Sequence, residues 1–252
     1  MKYLKKFENH SAYAAAESGL ILPNVSLCVQ ENEVHYNPYV DPYGGHDYVE
    51  IGGIKWATMN IGANNITDTG LIFQWGDTQG YTTEQCGSGT GQKYFGWADY
   101  KYGNGTSSPG NTGMTKYNST DGKTVLEPSD DAVTAAWGGN WRMPTTAEFQ
   151  ALGNAVTSAW TTNYQGVEGC NGLLLTGKNG TADEGKTLFF PACGRCNNGS
   201  VYSVGSNGFY WSSSLFSSGV LNAYNFDFYS GLVYWQNYNY RYRGYAVRGV
   251  AD

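Results

Sequence analysis

Charge is what this chain has least of. Only 14 % of its 252 residues are Asp, Glu, Lys or Arg, and the 15 basic residues are outnumbered by 21 acidic ones, giving a net charge of −6. A general nucleic-acid binder would carry a basic stripe, so that class is excluded as an expectation. Long apolar runs and heptads are also missing, which argues against a membrane span and against a coiled coil. The basic start MKYLKKFENH is not followed by a continuous apolar stretch and a small-residue cleavage site, so export by a standard signal is not expected. Histidine is confined to His10, His35 and His46. A Ser-His or Cys-His nucleophilic apparatus in the remaining chain would have to borrow one of these. The five cysteines (Cys28, Cys86, Cys170, Cys193 and Cys196) are an odd number and cannot all pair within the chain. They read most simply as reduced thiols of a protein made in the cytosol. No internal repeat of fixed period is present.

Glycine and tyrosine are abundant: 35 Gly against 7 Pro, and 21 Tyr within an aromatic content of 15 %. Frequent Gly, Asn, Ser and Thr predict short strands and many loops rather than long helices. The aromatics concentrate between Gly208 and Val250, interleaved with Ser, Asn, Gly and Arg and almost without Lys or Glu. A core segment would use aliphatics and a solvated face would use charges. Rigid aromatics mixed with adaptable polar residues are how antibody loops build contact surfaces at low entropic cost. The stretch therefore reads as a binding surface.

Residues 1–45 differ from the rest. They hold the three histidines' first two members, a helix candidate at Ser11–Ser18, the apolar stretch Leu20–Val29 and a turn-rich exit from Asn37 to Gly45. So short a piece buries little core alone, so it is read as an attachment segment. The second part, 46–252, opens with a hairpin signal, apolar alternation around Gly52-Gly53. Residues 76–125 predict irregular loops. Asp130–Trp137 and the Thr-capped run from Pro144 to Phe149, with Glu148 at capping-box distance, predict two short helices. Strands are expected at Leu173–Leu175, Thr187–Phe190, Gly208–Ser213, Ala223–Phe228, Gly231–Trp235 and Tyr245–Val250.

Several strings imitate chemistry. Gly180 to Thr187 satisfies the phosphate-loop pattern, but that motif needs a helix after it, and here Leu-Phe-Phe-Pro191 follows. Asp183 and Glu184 also place negative charge where phosphate must lie, so a hairpin loop is the better reading. Cys193-Gly-Arg-Cys196 has redox or half-zinc spacing, yet no second pair completes a metal site and no helix start follows the first cysteine. Glu127, Asp130 and Asp131 suit calcium or an acid pair. A solvated helix start accounts for them equally well.

At Trp137-Gly-Gly-Asn-Trp-Arg-Met-Pro-Thr-Thr-Ala-Glu-Phe149 the chain resembles the WRLPT-x-x-E helix entry of bacterial C-type-lectin-like domains. These include formylglycine-generating-enzyme-like proteins and the Fibrobacter succinogenes major paralogous domain. Val49 to Asn60, Phe73-Gln-Trp-Gly-Asp77, Phe190-Pro-Ala-Cys-Gly-Arg195, Tyr210-Trp-Ser-Ser-Ser214 and Ala246-Val-Arg-Gly-Val250 extend the likeness over 46–252. The segment from Leu4 through Leu22-Pro-Asn-Val-Ser-Leu to Pro38 is similar to N-terminal segments of tail-associated proteins from phages of gut Bacteroidetes. Among such proteins are the variable proteins of diversity-generating retroelements, in which mutated adenines let Asn codons become other residues on a fixed backbone.

That resemblance implies an α+β, C-type-lectin-like fold of short antiparallel strands, about two helices and long irregular loops. It implies a framework set (Trp211, Ser212, Ser213, Ala223, Phe226, Phe228, Val233, Arg241, Gly244, Val247 and Arg248), with Trp211, Phe226 and Phe228 buried. The implied ligand-binding set, almost all reachable from Asn codons, is Leu215, Phe216, Val220, Leu221, Asp227, Tyr229, Leu232, Tyr234, Trp235, Asn237, Tyr238, Tyr240, Tyr242 and Tyr245, with the positions around Tyr234–Tyr242 exposed. The expected function is a non-enzymatic phage or prophage receptor-binding protein, made in the bacterial cytoplasm and carried on the virion. Its expected partners are a bacterial surface protein or glycan, and a phage tail or baseplate protein held by residues 1–45. Homo-oligomerisation is compatible with this, and neither nucleic acid, membrane insertion, cofactor nor metal is expected. The calcium-dependent sugar triplets of animal lectins are missing; Glu127-Pro-Ser129 is the nearest string. Two rivals stay open: a structural component packing its aromatic face on a neighbour, and a divergent oxidase using Cys193 and Cys196.

Overall fold

The computed structural model describes residues 45–252. The expectations for the attachment segment, including the Ser11–Ser18 helix, His10, His35 and Cys28, lie outside the described residues. The first sheet holds β1 (Tyr48–Ile51) and β2 (Ile54–Asn60), joined at Gly52-Gly53 with φ of +63° and +77°. Two successive positive φ values are what a tight two-residue hairpin requires, and glycine supplies them without strain. A two-residue strand β3 (Ile72–Phe73) follows, and then the loops of 76–125 form only short 3-10 turns and bridges.

Helix α1 (Ala132–Trp137) is capped by Asp131, whose carboxylate accepts from the Val133 and Thr134 amides and from the Met143 amide. After β4 (Trp141–Arg142) comes α2 (Thr146–Ala155), with the Thr145/Glu148 capping box that the sequence predicts. Then follow β5 (Val156–Thr161), β6 (Gly172–Gly177), β7 (Thr187–Pro191), β8 (Arg195–Asn197), β9 (Ser200–Tyr202), β10 (Asn207–Leu215), β11 (Asn222–Tyr229), β12 (Leu232–Tyr240), β13 (Tyr245–Ala246) and β14 (Arg248–Ala251).

The strands form four sheets, ordered β1-β2-β14-β4, β12-β11-β10-β13-β3, β5-β6-β7 and β8-β9. Fold class is therefore corrected: the expected α+β, C-type-lectin-like class gives way to a mostly-β chain of several small sheets. α-Helix is limited to two capped segments of six and ten residues among the described residues. Strands such as β11 and β12 alternate in burial between turns, a pattern that buries one strand face and no helix face. No helix of the described residues is long and apolar enough to cross a membrane.

The sequence splits its C-terminal run between two sheets. Tyr245-Ala246 pairs in parallel with Tyr210, whereas Arg248–Ala251 lies between β2 and β4. Two guanidinium groups fill the core at these crossings. Arg248 donates to Asn60 Oδ1 at 2.9 Å and to the carbonyls of Ala57 and Phe189, over the Phe190 ring. Arg241 donates to the Tyr100 hydroxyl at 2.8 Å and to the carbonyls of Lys116, Tyr117 and Val220. It thereby ties the 76–125 loops to the end of β12. Neither cation has a carboxylate partner among these contacts. Rings and carbonyl dipoles satisfy them instead.

A candidate ligand-binding face

Sheet order makes β12 the outer strand, and its burial alternates along all nine residues. Residues opposite one another in an antiparallel pair share a face. One face therefore carries the rows Asn207–Tyr229–Leu232, Phe209–Asp227–Tyr234 and Trp211–Asn225–Asn237. The other carries Gly208–Phe228–Val233 and Tyr210–Phe226, which pack on α2 through Phe149, and further along the hairpin the rows Tyr224–Tyr238 and Asn222–Tyr240. Between Asn225 and Asp227 the register slips, because Trp235 and Gln236 of β12 both stand opposite Phe226. Such a bulge twists the strand and re-aims its side chains.

Trp235 fixes the bulge from behind. Its indole stacks on Phe226 at 4.9 Å and lies directly against Gly153 of α2, where a Cβ would come within 2.5 Å of the ring. Gln236 adds a bond from Gln150 Nε2 at 2.9 Å. Phe226 and Phe228 are buried on the opposite side of the sheet and Trp211 is buried within its row, as the framework reading expects.

Of the predicted ligand-binding set, the structure exposes Tyr229, Leu232, Tyr234, Tyr238 and Tyr240, each 40–50 % accessible. Phe216 is half-buried and stacks on Tyr238 at 3.9 Å, which joins the turn after β10 to the end of β12. Val220 and Leu221 are half-buried against the core, and Asp227, Trp235 and Asn237 are half-buried within the sheet. Leu215, Tyr242 and Tyr245 are buried. Tyr242 packs edge-on to Trp97 at 4.8 Å, and Tyr245 stacks on both Phe209 and Trp211. The expectation that positions up to Tyr242 are exposed thus stops at Tyr240. The strand ends there, and Arg241 turns the chain inward.

Sequence reasoning missed the polar layer beside the tyrosines. Asn237 Nδ2 donates to Asp227 Oδ2 at 3.3 Å, and Asn239 Nδ2 donates to Asn225 Oδ1 at 3.1 Å. Arg243 in turn donates to Asn239. Arg195 sits over the Phe209 ring at 5.0 Å and over exposed Tyr202 at 5.7 Å. Burial pushes the Asp227 carboxyl up to about 6, against the opposing pull of Asn237, Arg195 and Asn225. Asp227, Asn225, Arg195, Arg243 and Tyr245 each bury one polar atom without a hydrogen-bond partner. Asn and Asp at inward strand positions, within a run otherwise aromatic, were the available signal.

The chemical imitations resolve into structure. Lys186 pairs with Asp183 at 3.0 Å, and Thr187 opens strand β7 rather than a helix. Cys193 contacts the Tyr210 hydroxyl at 3.2 Å in one core cluster, while Cys196 belongs to another with Ile72 and Phe95. Asp130 accepts from the Tyr117 hydroxyl at 2.6 Å and from Lys101 and Lys116, which hold its carboxyl well below the usual range against the upward push of burial. No group of three or more His, Cys, Asp or Glu able to hold a metal occurs among the described residues.

A family described as a domain of unknown function (DUF8237) matches residues 177–250, a stretch that contains β7 to β13 and with them the whole tyrosine face. No curated protein and no solved structure matches the chain.

Proposed function

We propose that the chain is a non-enzymatic recognition protein that presents the β11–β12 tyrosines to a macromolecule on a bacterial surface. One observation carries this reading. Tyr229, Leu232 and Tyr234 stand exposed on one face of a hairpin whose other face is locked by Trp235, Phe226 and Phe228 against α2, and beyond the bulge Tyr238 and Tyr240 stand exposed on that second face. Large apolar side chains with polar tips, held on a rigid support, give contact area without a large ordering cost on binding. Tyrosine and tryptophan anchors also dominate measured interface energies. The separation of Cys193 from Cys196 supports the non-enzymatic side of the reading.

In the fuller form of the proposal, the protein is a phage or prophage receptor-binding protein attached to tail or baseplate through residues 1–45. Its exposed face is then the diversified surface. A near-copy of the 3′ coding end, altered at adenines and lying beside a reverse transcriptase gene, is the expected genomic setting. The direct experiment adds the labelled full chain to cells of the bacterium that carries the gene. Saturable binding is expected. Its absence, together with burial of the face in a purified assembly, would transfer the face to subunit packing.

A further inference from the structure

Four of the five cysteines fall within the described residues, and only two of those share a site. Cys170 Sγ donates to the Thr67 carbonyl, and Cys193 Sγ sits among Asn60, Thr69 and Tyr210. Cys196 is fully buried with Ile72 and Phe95, and half-buried Cys86 packs against that same cluster beside Tyr81. The segments that bear them are already joined. Asn198 donates its amide to the Phe95 carbonyl at 3.1 Å and Gly199 to the Tyr94 carbonyl, while Lys93 bridges back to Gln85 at 2.8 Å. Each thiol perturbs the other's ionisation, which agrees with their packing in one cluster.

We infer that Cys86 and Cys196 are a thiol pair that closes to a disulfide under a disulfide oxidant, clamping the 83–95 loop to the β8–β9 hairpin. Exposure sets the order of events. The accessible Cys86 thiolate attacks one sulfur of oxidised glutathione, breaking its S–S bond and releasing one glutathione thiolate. The Cys196 thiolate then attacks Cys86 Sγ in the mixed disulfide and expels the second glutathione thiolate. Two protein thiols become one disulfide, one oxidised glutathione becomes two reduced ones, and the two thiol protons finish on glutathione. Burial holds both thiols above their ordinary value, so closure is slow near neutrality and accelerates toward alkaline pH.

The clamp has a structural consequence close to the tyrosine face. Arg195, next to Cys196, spans Phe209 and Tyr202, so fixing the hairpin fixes this flank. The bond would close a loop of about 110 residues, which in the chain-entropy view restricts the unfolded state strongly. The inference does not depend on what the face binds.

The test uses the folded full chain with oxidised glutathione at pH 8.5, quenched by alkylation in denaturant and mapped by mass spectrometry. A single linked peptide pair, Cys86 to Cys196, is expected, leaving Cys170 and Cys193 alkylated. C196S should instead accumulate glutathione on Cys86. The same oxidation in denaturant should give scrambled pairs. Alkylation of all five cysteines, a stable mixed disulfide at Cys86 in the unaltered chain, or the same pair distribution with and without denaturant would overturn the inference.

Discussion

Replacing Asp227 by Asn isolates the polar layer under the tyrosine face. The carboxyl lies in the row Phe209–Asp227–Tyr234, holds one bond from Asn237 and leaves Oδ1 buried without a partner. Raising it from 3.8 to about 6 corresponds to at most about 3 kcal/mol of stability, given the difference between folded and unfolded forms. The sign follows from proton counting. The folded chain binds the extra proton between these values, so the stability it brings is full below pH 4 and is lost as pH rises through 6. An amide of the same shape carries no charge to desolvate. D227N should therefore match the parent near pH 4 and exceed it at pH 7.5 by about 1–3 kcal/mol, the low end reflecting partial solvent access. Urea unfolding at both pH values measures this directly. A D227N chain less stable than the parent at pH 7.5 would refute the reasoning, since it would mean that Arg195 and the asparagines more than offset the cost of burial.

Gly153→Ala sets two effects of known size against each other. A helix interior gains about 1 kcal/mol from alanine, but the new Cβ meets the Trp235 ring at 2.5 Å, and overpacking costs about 1–3 kcal/mol. Thermal unfolding should show net destabilisation, with altered Trp fluorescence as the indole shifts; a stabilised variant would mean that Trp235 is not held against α2. Arg241→Met removes the donor to the Tyr100 hydroxyl and three carbonyls. Leaving such groups unpaired costs about 1–3 kcal/mol each where no water reaches them. A loss of at least about 3 kcal/mol in denaturant titration is expected.

Local order was readable in the chain wherever one residue type has one structural use. Gly52-Gly53 requires positive φ, and Thr145 with Glu148 can only cap. The burial of the framework aromatics Trp211, Phe226 and Phe228 came from the family resemblance, and along β11 it coincides with alternation around Asp227 and Tyr229. Fold class was not readable in this way. The β14 strand pairs with β2 and β4, and β13 pairs with β3 and β10, partners far from it in sequence. No local signal splits Tyr245–Val250 at Val247. The bulge at Trp235–Gln236 was equally silent, since it depends on Gly153 of a distant helix. Tyr242 and Tyr245 share the composition of the exposed tyrosines. What buries them is Trp97, Phe209 and Trp211, contacts made only after the sheet has formed.

The central claim, that the β11–β12 tyrosines form the recognition surface, is tested most directly by the full chain carrying Tyr234→Ala, Tyr238→Ala and Tyr240→Ala together. Trp235 is left in place because it holds the strand. The exposed Tyr94, outside the face, supplies the control Tyr94→Ala. Binding to bacterial cells should fall about a hundredfold or more in the triple variant, since loss of interface tyrosines commonly costs above 1 kcal/mol each. Its unfolding midpoint should stay near the parent's, and Tyr94→Ala should bind as the parent does. Cell binding within threefold of the parent in a folded triple variant would contradict the account.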